Sequence, residues 1–417
     1  MTVFLSPSFQ YNTLPSRTIR QSYLPGKFSI PSPNLIKGTD HIEFGKEANP
    51  TYQRILGRYS QGNPGPLVFV ISGLHGNERA GFHAFDQLIK KLEASHVKFK
   101  GEIVGLSGNL AALNAKTDKP MRFLDVDMNR VFKPELIAKA EKMKASGKTH
   151  LLRKEEIEML DLLETIHSMQ QSHRQKWPES QTFVLDLHST SASGAPLMLP
   201  FKSMLHKWLP ATSITDKHDL DPHPKMNRGY LNDYLNLALP NCQAAVFEGG
   251  GHDGENTAKN MEAALWVLLA KSKSISALNL PTFALVNALK EQLKGRPKEV
   301  KVIDHIAINY PRGYKSIRKF ESNLEKVKPN ELIAMDGFRE IRIPDIAGKD
   351  LYALMPNLQD KHNIKAGDDV VFLAESTGEK FGEQDLVADL AEPALLPDYA
   401  PAVRNLKAGK LQDTLKA

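Results

Sequence analysis

The chain is 417 residues long, 41% hydrophobic and 24% charged, ordinary for a globular protein and ample for a sizeable core. Its 54 basic and 48 acidic residues leave a net charge of +6 at pH 7, a mild bias that suits small anions rather than a nucleic-acid groove. A single cysteine, Cys242, excludes an internal disulfide and a cysteine-based zinc site, and fits a reducing, cytoplasmic compartment.

The N-terminus has no basic start followed by an apolar run, so no signal peptide is expected. No window approaches ~18 to 20 consecutive apolar residues, so neither a spanning helix nor a membrane partner is expected. Residues 1–45, rich in Pro, Ser and Asn, read as an irregular arm. From 46 to 296, short apolar runs alternate with helical patterns. Residues 67–71, 102–106, 183–187 and 244–247 read as buried strands, and 82–92, 154–169 and 257–270 as helices. The alternation predicts an α/β catalytic domain with a mixed, largely parallel sheet flanked by helices. Between 133 and 176 the chain is charged and helix-prone. Its apolar positions Ile157, Leu160, Leu163 and Ile166 form the stripe of an ordinary amphipathic surface helix. The texture changes at Gly295-Arg296-Pro297-Lys298. Beyond it lie β-like pieces at 301–308, 332–335, 340–343 and 369–373, punctuated by turn signals such as Met335-Asp336-Gly337 and Ala366-Gly367-Asp368. They predict a smaller β-rich domain over 297–390. Residues 391–417 read as a tail, and no internal repeat is present.

The most informative stretch is GLHGNERAG, residues 73–81, at the end of the first buried run. His75 and Glu78 lie three apart, a spacing at which one helical turn or a tight loop aims both side chains at one point. Imidazole plus carboxylate is a zinc pairing, and a catalytic zinc takes one more protein ligand and keeps a position open for water. His188, in VLDLHSTSA, stands at the end of another apolar run and supplies that third ligand. A surface ion pair or a helix cap has the same short spacing; two strand ends and flanking glycines favour the metal. A third strand end carries VFEGGGHDG. Glu248 there suits the proton shuttle that a metal-activated water requires. A turn cap or a salt bridge is the plainer use of that glutamate.

In MRFLDVDMNRVF, Arg122, Asn129 and Arg130 fall within nine positions. An arginine fork matches a carboxylate and Asn adds a neutral donor. Arg122 is also suited to the oxyanion formed when a carbonyl is attacked. Asp127 is suited to the far nitrogen of a metal-bound histidine. The alternative is a solvated turn with ion pairs. His206, His218, His223, Asp219 and Asp221 cluster in a loop-like region, where solvation is the simpler reading than a second metal. His252 and Asp253 follow the glycine run and could line a pocket entrance. Cys242 reads as a small buried hydrophobe.

Together, GLHGNERAG, MRFLDVDMNRVF, LDLHSTSA and FEGGG resemble the succinylglutamate desuccinylase/aspartoacylase family, relatives of the zinc carboxypeptidases. The order matches, as do the step from Arg122 to Asn129 and the separation of His188 from Glu248. The similarity covers about residues 60–275, and FESNLEKVKPNELIAMDG is similar to that family's second domain. The resemblance implies one zinc per chain on His75, Glu78 and His188, with Glu248 as general acid/base and Arg122 as carbonyl polariser. It implies Asn129 and Arg130 as binders of a substrate carboxylate and Asp127 behind a ligand histidine. The aspartoacylase branch also has an arginine about ten residues before the catalytic glutamate. Ala238 stands at that offset here and Arg228 is the nearest arginine upstream, so N-acetylaspartate is not singled out. The family's late tyrosine has three candidates, Tyr230, Tyr310 and Tyr314.

The expected function is therefore a zinc-dependent amide hydrolase that removes an acyl group from a small anionic N-acyl amino acid. A carboxypeptidase trimming peptide ends is the alternative, followed by a binding protein of the same fold without catalysis. No nucleic-acid partner is expected, and assembly into a homo-oligomer is left open.

Overall fold

Strand β2 (Leu67–Ser72) is buried along its whole length. Its alternate side chains enter two different cores: Val68 and Val70 pack into one, Leu67, Phe69 and Ile71 into the other. A strand covered on both faces is a continuous apolar run rather than an alternating one, which is how it reads in the sequence. The computed structural model describes residues 51–201, 203–215, 229–277, 283–346, 348–356, 366 and 369–382. The expected arm at 1–45 and tail at 391–417 lie outside them.

In chain order the first half carries β1 (Ile55–Ser60), β2, α1 (Ala80–Ala94), β3 (Glu102–Ser107), α2 (Leu110–Leu113), α3 (Pro134–Ala145) and α4 (Lys154–Lys176). Next come β4 (Thr182–Thr190), β5 (Leu197–Leu199), β6 (Thr212–Thr215), α5 (Leu231–Ala238), β7 (Cys242–Gly251), α6 (Thr257–Lys271) and α7 (Phe283–Leu293). The last part is β8 (Glu299–Ala307), β9 (Tyr314–Ser316), β10 (Glu325–Val327), β11 (Leu332–Asp336), β12 (Arg339–Arg342), β13 (Leu351–Leu354) and β14 (Asp369–Ser376).

Among the described residues the main sheet has the order β1-β3-β2-β4-β7-β5-β6-β8-β14-β13-β10, and a smaller sheet has the order β12-β11-β9. The pairings β3–β2, β2–β4 and β4–β7 are parallel, as are β5–β6 and β6–β8. From β8 through β14 and β13 to β10 the sheet is antiparallel. This is the expected α/β architecture, a mixed sheet flanked by helices with a β-rich C-terminal part. Helices α1, α6 and α7 cover one face through Phe82, Phe85, Leu88, Leu265, Trp266 and Leu289. Helices α3, α4 and α5 cover the other through Ile137, Met159, Leu162, Leu163, Ile166 and Leu231. The sheet runs straight through the expected boundary at 296/297, because β8 pairs with β6 on one side and β14 on the other.

The long helical stretch is two helices, α3 and α4. Its buried face includes Leu160, Leu163 and Ile166 as expected, but Ile157 is 38% exposed and Glu155 and Glu156 are buried instead. The first turn of α4 thus faces inward with its acids. No described helix is long and apolar enough to cross a membrane.

Candidate metal centre

Parallel strands β2, β4 and β7 deliver their C-terminal ends to one edge of the sheet, where open α/β folds gather their ligands. After β2 the chain turns sharply. Gly73 has φ +68°, and a Cβ there would meet the Phe82 ring at 2.8 Å. At Gly76 a Cβ would meet the Met121 carbonyl at 2.6 Å, so the loop can lie directly against the segment that carries Arg122. Glu78 N donates to the His75 carbonyl at 3.0 Å, closing a tight turn before α1 begins at Ala80. That turn points His75 and Glu78 the same way.

His188 arrives near the end of β4 and Glu248 on β7, and the two are direct partners in the parallel ladder. Residues paired in adjacent strands project from the same face about 5 Å apart. The register places Glu248 next to His188.

His75 Nδ1 lies 2.8 Å from Glu78 Oε1, and His188 Nδ1 lies 2.9 Å from Glu78 Oε2. The two imidazole centroids are 4.9 Å apart. The far nitrogens turn outward to other carboxylates. His75 Nε2 is 3.0 Å from Asp127 Oδ1, and His188 Nε2 is 3.0 Å from Asp186 Oδ2, the latter contact close but poorly aligned. A carboxylate behind each imidazole is how metal-binding histidines are usually oriented, since it leaves the near nitrogen to the ion. One ligand atom from each of His75, Glu78 and His188 lies within 4.8 Å of the others, and all three residues are buried. This donor set fits a divalent metal ion, and two imidazoles with one carboxylate suit zinc.

Arg122 closes the cluster. Its Nη1 donates to Glu78 Oε1 at 2.8 Å, and its Nη2 lies 3.0 Å from His75 Nε2 and 3.4 Å from Asp127 Oδ2. The side chain is 44% exposed, so one face is open to an incoming molecule. Asp127 Oδ1 also accepts from Asn129 N at 2.8 Å. Asn129 is buried, and its Oδ1 takes a long bond of 3.4 Å from Leu231 N. Arg130 is exposed; its Nη1 donates to the Asn129 carbonyl at 2.9 Å, and its guanidinium lies 4.9 Å from the centroid of the Tyr230 ring.

The electrostatics follow from burial and these pairs. Burial alone would lower the His188 pKa, but Asp186 and Glu78 outweigh it and hold the imidazole well above its ordinary value. Burial would raise Glu78 and Asp127, yet His75 and His188 hold Glu78 well down, and His75, Arg122 and Arg130 do the same to Asp127. Glu248 goes the other way: burial pushes it up to about 7, only partly opposed by His188. Its Oε2 is buried, with no hydrogen-bond partner among the described residues. A carboxyl group poised near neutrality beside a cluster that could hold a metal ion is suited to taking and returning protons.

Two participants escaped the sequence reading. Asp186 is 1% exposed and sits two residues before His188, so the period-two alternation of β4 puts both on one face. A lone acid inside an otherwise apolar run was the available signal. Ser189 N donates to Glu78 Oε2 at 3.1 Å, and its Oγ lies 2.8 Å from His252 Nδ1. His252, placed near the pocket entrance from sequence, is half-buried, and burial lowers its pKa.

The other candidates fare as follows. His206 Nδ1 lies 2.7 Å from the Ser203 carbonyl, while His218, Asp219, Asp221, His223 and Arg228 lie outside the described residues. Cys242 is buried and its thiol is pushed up to about 12, which suits a packing role. Tyr230 is the tyrosine under Arg130; Tyr310 is 63% exposed and Tyr314 lies on β9. A separate cavity of about 460 Å³, lined by His206, Trp208, Lys271, Lys290, Lys298 and Phe381 among others, includes none of His75, Glu78, Arg122, Asp127, His188 and Glu248. The candidate site is instead the His75, Glu78 and His188 cluster, which could hold a metal ion.

The family model of the succinylglutamate desuccinylase/aspartoacylase catalytic domain matches residues 64–200. Among solved structures, the chain is similar to a protein assigned to succinylglutamate desuccinylase/aspartoacylase from Shewanella frigidimarina NCIMB 400. They are 12% identical over 82% of this chain and 96% of that one, with a TM-score of 0.52. It is also similar to a protein assigned to the same family from Shewanella amazonensis SB2B, at 14% identity over 77% and 93% of the two chains and a TM-score of 0.51. At such identities the likeness is one of fold. The chain has no match among curated proteins.

Proposed function

We propose a zinc-dependent deacylase, on the support of the match of residues 64–200 to the catalytic-domain model of the succinylglutamate desuccinylase/aspartoacylase family. Its substrate is an N-acylated amino acid or similar small carboxylate, with a succinyl- or acetyl-like acyl group. The observation that carries this reading is the convergence of two Nδ1 atoms on one buried carboxylate, with Glu248 in register with His188. A zinc ion held by His75, Glu78 and His188 would supply an acidified water and polarise the acyl carbonyl.

The rest is the work of side chains. Glu248 accepts the proton of the attacking water, which its raised pKa allows, and returns it to the departing amine nitrogen. Arg122 donates to the oxygen that becomes negative as the carbonyl is attacked. Asn129 and Arg130 clamp the substrate carboxylate, and Asp127 and Asp186 keep the two imidazoles from turning. A cytoplasmic location goes with this reading.

The test is metal analysis followed by a panel of succinyl- and acetyl-amino acids beside C-terminal dipeptides. Stoichiometric zinc with turnover of acyl amino acids supports the proposal; turnover of dipeptides alone moves it to carboxypeptidase chemistry; stoichiometric metal without any hydrolysis leaves a binding protein. Glu248→Gln should keep its metal and lose turnover. Loss of metal or full activity in that variant removes the role given to Glu248.

A further inference from the structure

Behind the cluster lies a carboxylate with no part in this chemistry. Glu155, in the first turn of α4, is 0% exposed. Its Oε1 accepts from Leu124 N at 2.7 Å and from Asn109 Nδ2 at 3.2 Å; its Oε2 accepts from Asp125 N at 3.0 Å and Val126 N at 3.1 Å. Three consecutive backbone amides converging on one buried anion form a strong, directional set of charge-assisted bonds. The tie is mutual, since Lys154 N donates to Asp125 Oδ2 at 2.8 Å.

Those amides belong to the stretch between Arg122 and Asp127. From 121 to 127 the chain is neither helix nor strand, so no ladder holds it. Its backbone is tied by the bonds to Glu155 and by Gly76 N of the loop bearing His75, which donates to the Arg122 carbonyl at 3.0 Å, while Lys154 N on Asp125 Oδ2 and Arg130 N on the Asp127 carbonyl hold it further along. Glu155 reaches that loop too: Asn109, which it binds, donates from its own N to the Gly73 carbonyl at 2.9 Å.

We propose that Glu155 is a positioning residue that fixes the segment 122–127 against the loop bearing His75 and Glu78. It thereby sets the contacts of Arg122 with Glu78 and of Asp127 with His75. Its catalytic consequence rests on the deacylase reading; its geometric consequence does not. Glutamine at this position keeps the shape but turns an NH₂ donor toward amides that are themselves donors.

The experiment compares Glu155→Gln with Glu158→Gln, one turn further along the same helix. Glu158 accepts from Leu110 N and Ala111 N and pairs with Arg54, so it has a similar structural load without touching 122–127. Hydrogen-exchange mass spectrometry is read over residues 73–79 and 127–131, whose amides make no bond to Glu155. We expect Glu155→Gln to speed exchange there about 10-fold and Glu158→Gln to stay within about twofold of wild type. On acyl amino acids, kcat/KM should fall about 10-fold or more only in Glu155→Gln. Equal exchange in the two variants, or equal loss of activity, overturns the assignment. Absence of turnover in the wild type would sink the deacylase reading, while the exchange comparison would still decide the role of Glu155. If Glu155→Gln does not fold, Asn109→Ser keeps the oxygen cap on Ala112 N and removes the donor to Glu155. It should shift exchange in the same direction, and unchanged exchange would again overturn the proposal.

Discussion

Replacing Asp186 by Asn changes one charge and almost no volume. In the wild type the carboxylate lies 3.0 Å from His188 Nε2, is 1% exposed, and helps hold the imidazolium well above its ordinary pKa. A bond to a charged partner is worth ~1.5–3 kcal/mol and a neutral one ~0.5–1.5 kcal/mol. The substitution should therefore cost about 1–1.5 kcal/mol of support for the cation on the other nitrogen, roughly tenfold in metal affinity. The penalty should depend on pH, and its sign follows from what occupies Nδ1. With the pKa of His188 raised, the metal-free wild type keeps a proton on that imidazole to higher pH than an ordinary histidine does, and binding must expel it. Affinity thus rises with pH until His188 is neutral. Asp186 stabilises the proton and the metal ion alike, so its benefit cancels where the two compete and emerges only where the imidazole is already neutral. In the Asn variant the pKa falls and the pH dependence starts lower. Competition against a chromogenic chelator from pH 6 to 9 should show two curves that meet at acid pH and separate about tenfold at alkaline pH. A gap that is constant with pH, or no gap at all, would refute this account of Asp186.

Arg122→Met should lower kcat about 10²- to 10³-fold with metal content unchanged, because its guanidinium is the donor proposed for the oxyanion; a change confined to KM would assign it to ground-state binding. Burial holds Glu248 at about 7 against an ordinary 4.5, so between those values the native state binds the proton more tightly than the unfolded chain. The stability of the metal-free protein should therefore fall as pH rises through that window, and urea melts at pH 5 and 7.5 should show Glu248→Gln without that fall. In the assembled enzyme a nearby dication favours the carboxylate, so the acid limb of kcat/KM should lie below pH 7 and vanish with Glu248→Gln's residual rate. Phe69→Ala empties a fully buried position on β2 and should cost about 3–5 kcal/mol in chemical denaturation; a cost under 1 kcal/mol would mean the core closes over the gap.

The readable parts of this chain are those where one physical demand dominates. Strands β2, β4 and β7 are buried on both faces, so their apolar runs announce them, and the ligands that follow stand out against that background. Strands β5, β10 and β13 are three or four residues long, too short to carry a period, and their pairing into the main sheet left no trace at 296/297. The texture change there is real, but it marks the switch from parallel to antiparallel pairing beyond β8 rather than the end of a sheet.

The site divides along a similar line. His75, Glu78, His188, Arg122 and Asp127 are legible because side chains make their contacts, and side chains are what a sequence spells out. Glu155 is not, because its partners are three backbone amides that any residues could supply. Period-3.6 reasoning then misassigns the first turn of α4: it turns Ile157 inward, whereas four hydrogen bonds to its carboxylate turn Glu155 inward and leave Ile157 38% exposed. A hydrogen bond to a charged group contributes about 1.5–3 kcal/mol and burying an isoleucine about 1.5–3 kcal/mol, so four such bonds outweigh one side chain. An acid that interrupts the apolar stripe of a helix can thus answer to backbone amides packed against that helix rather than mark a flaw in the stripe.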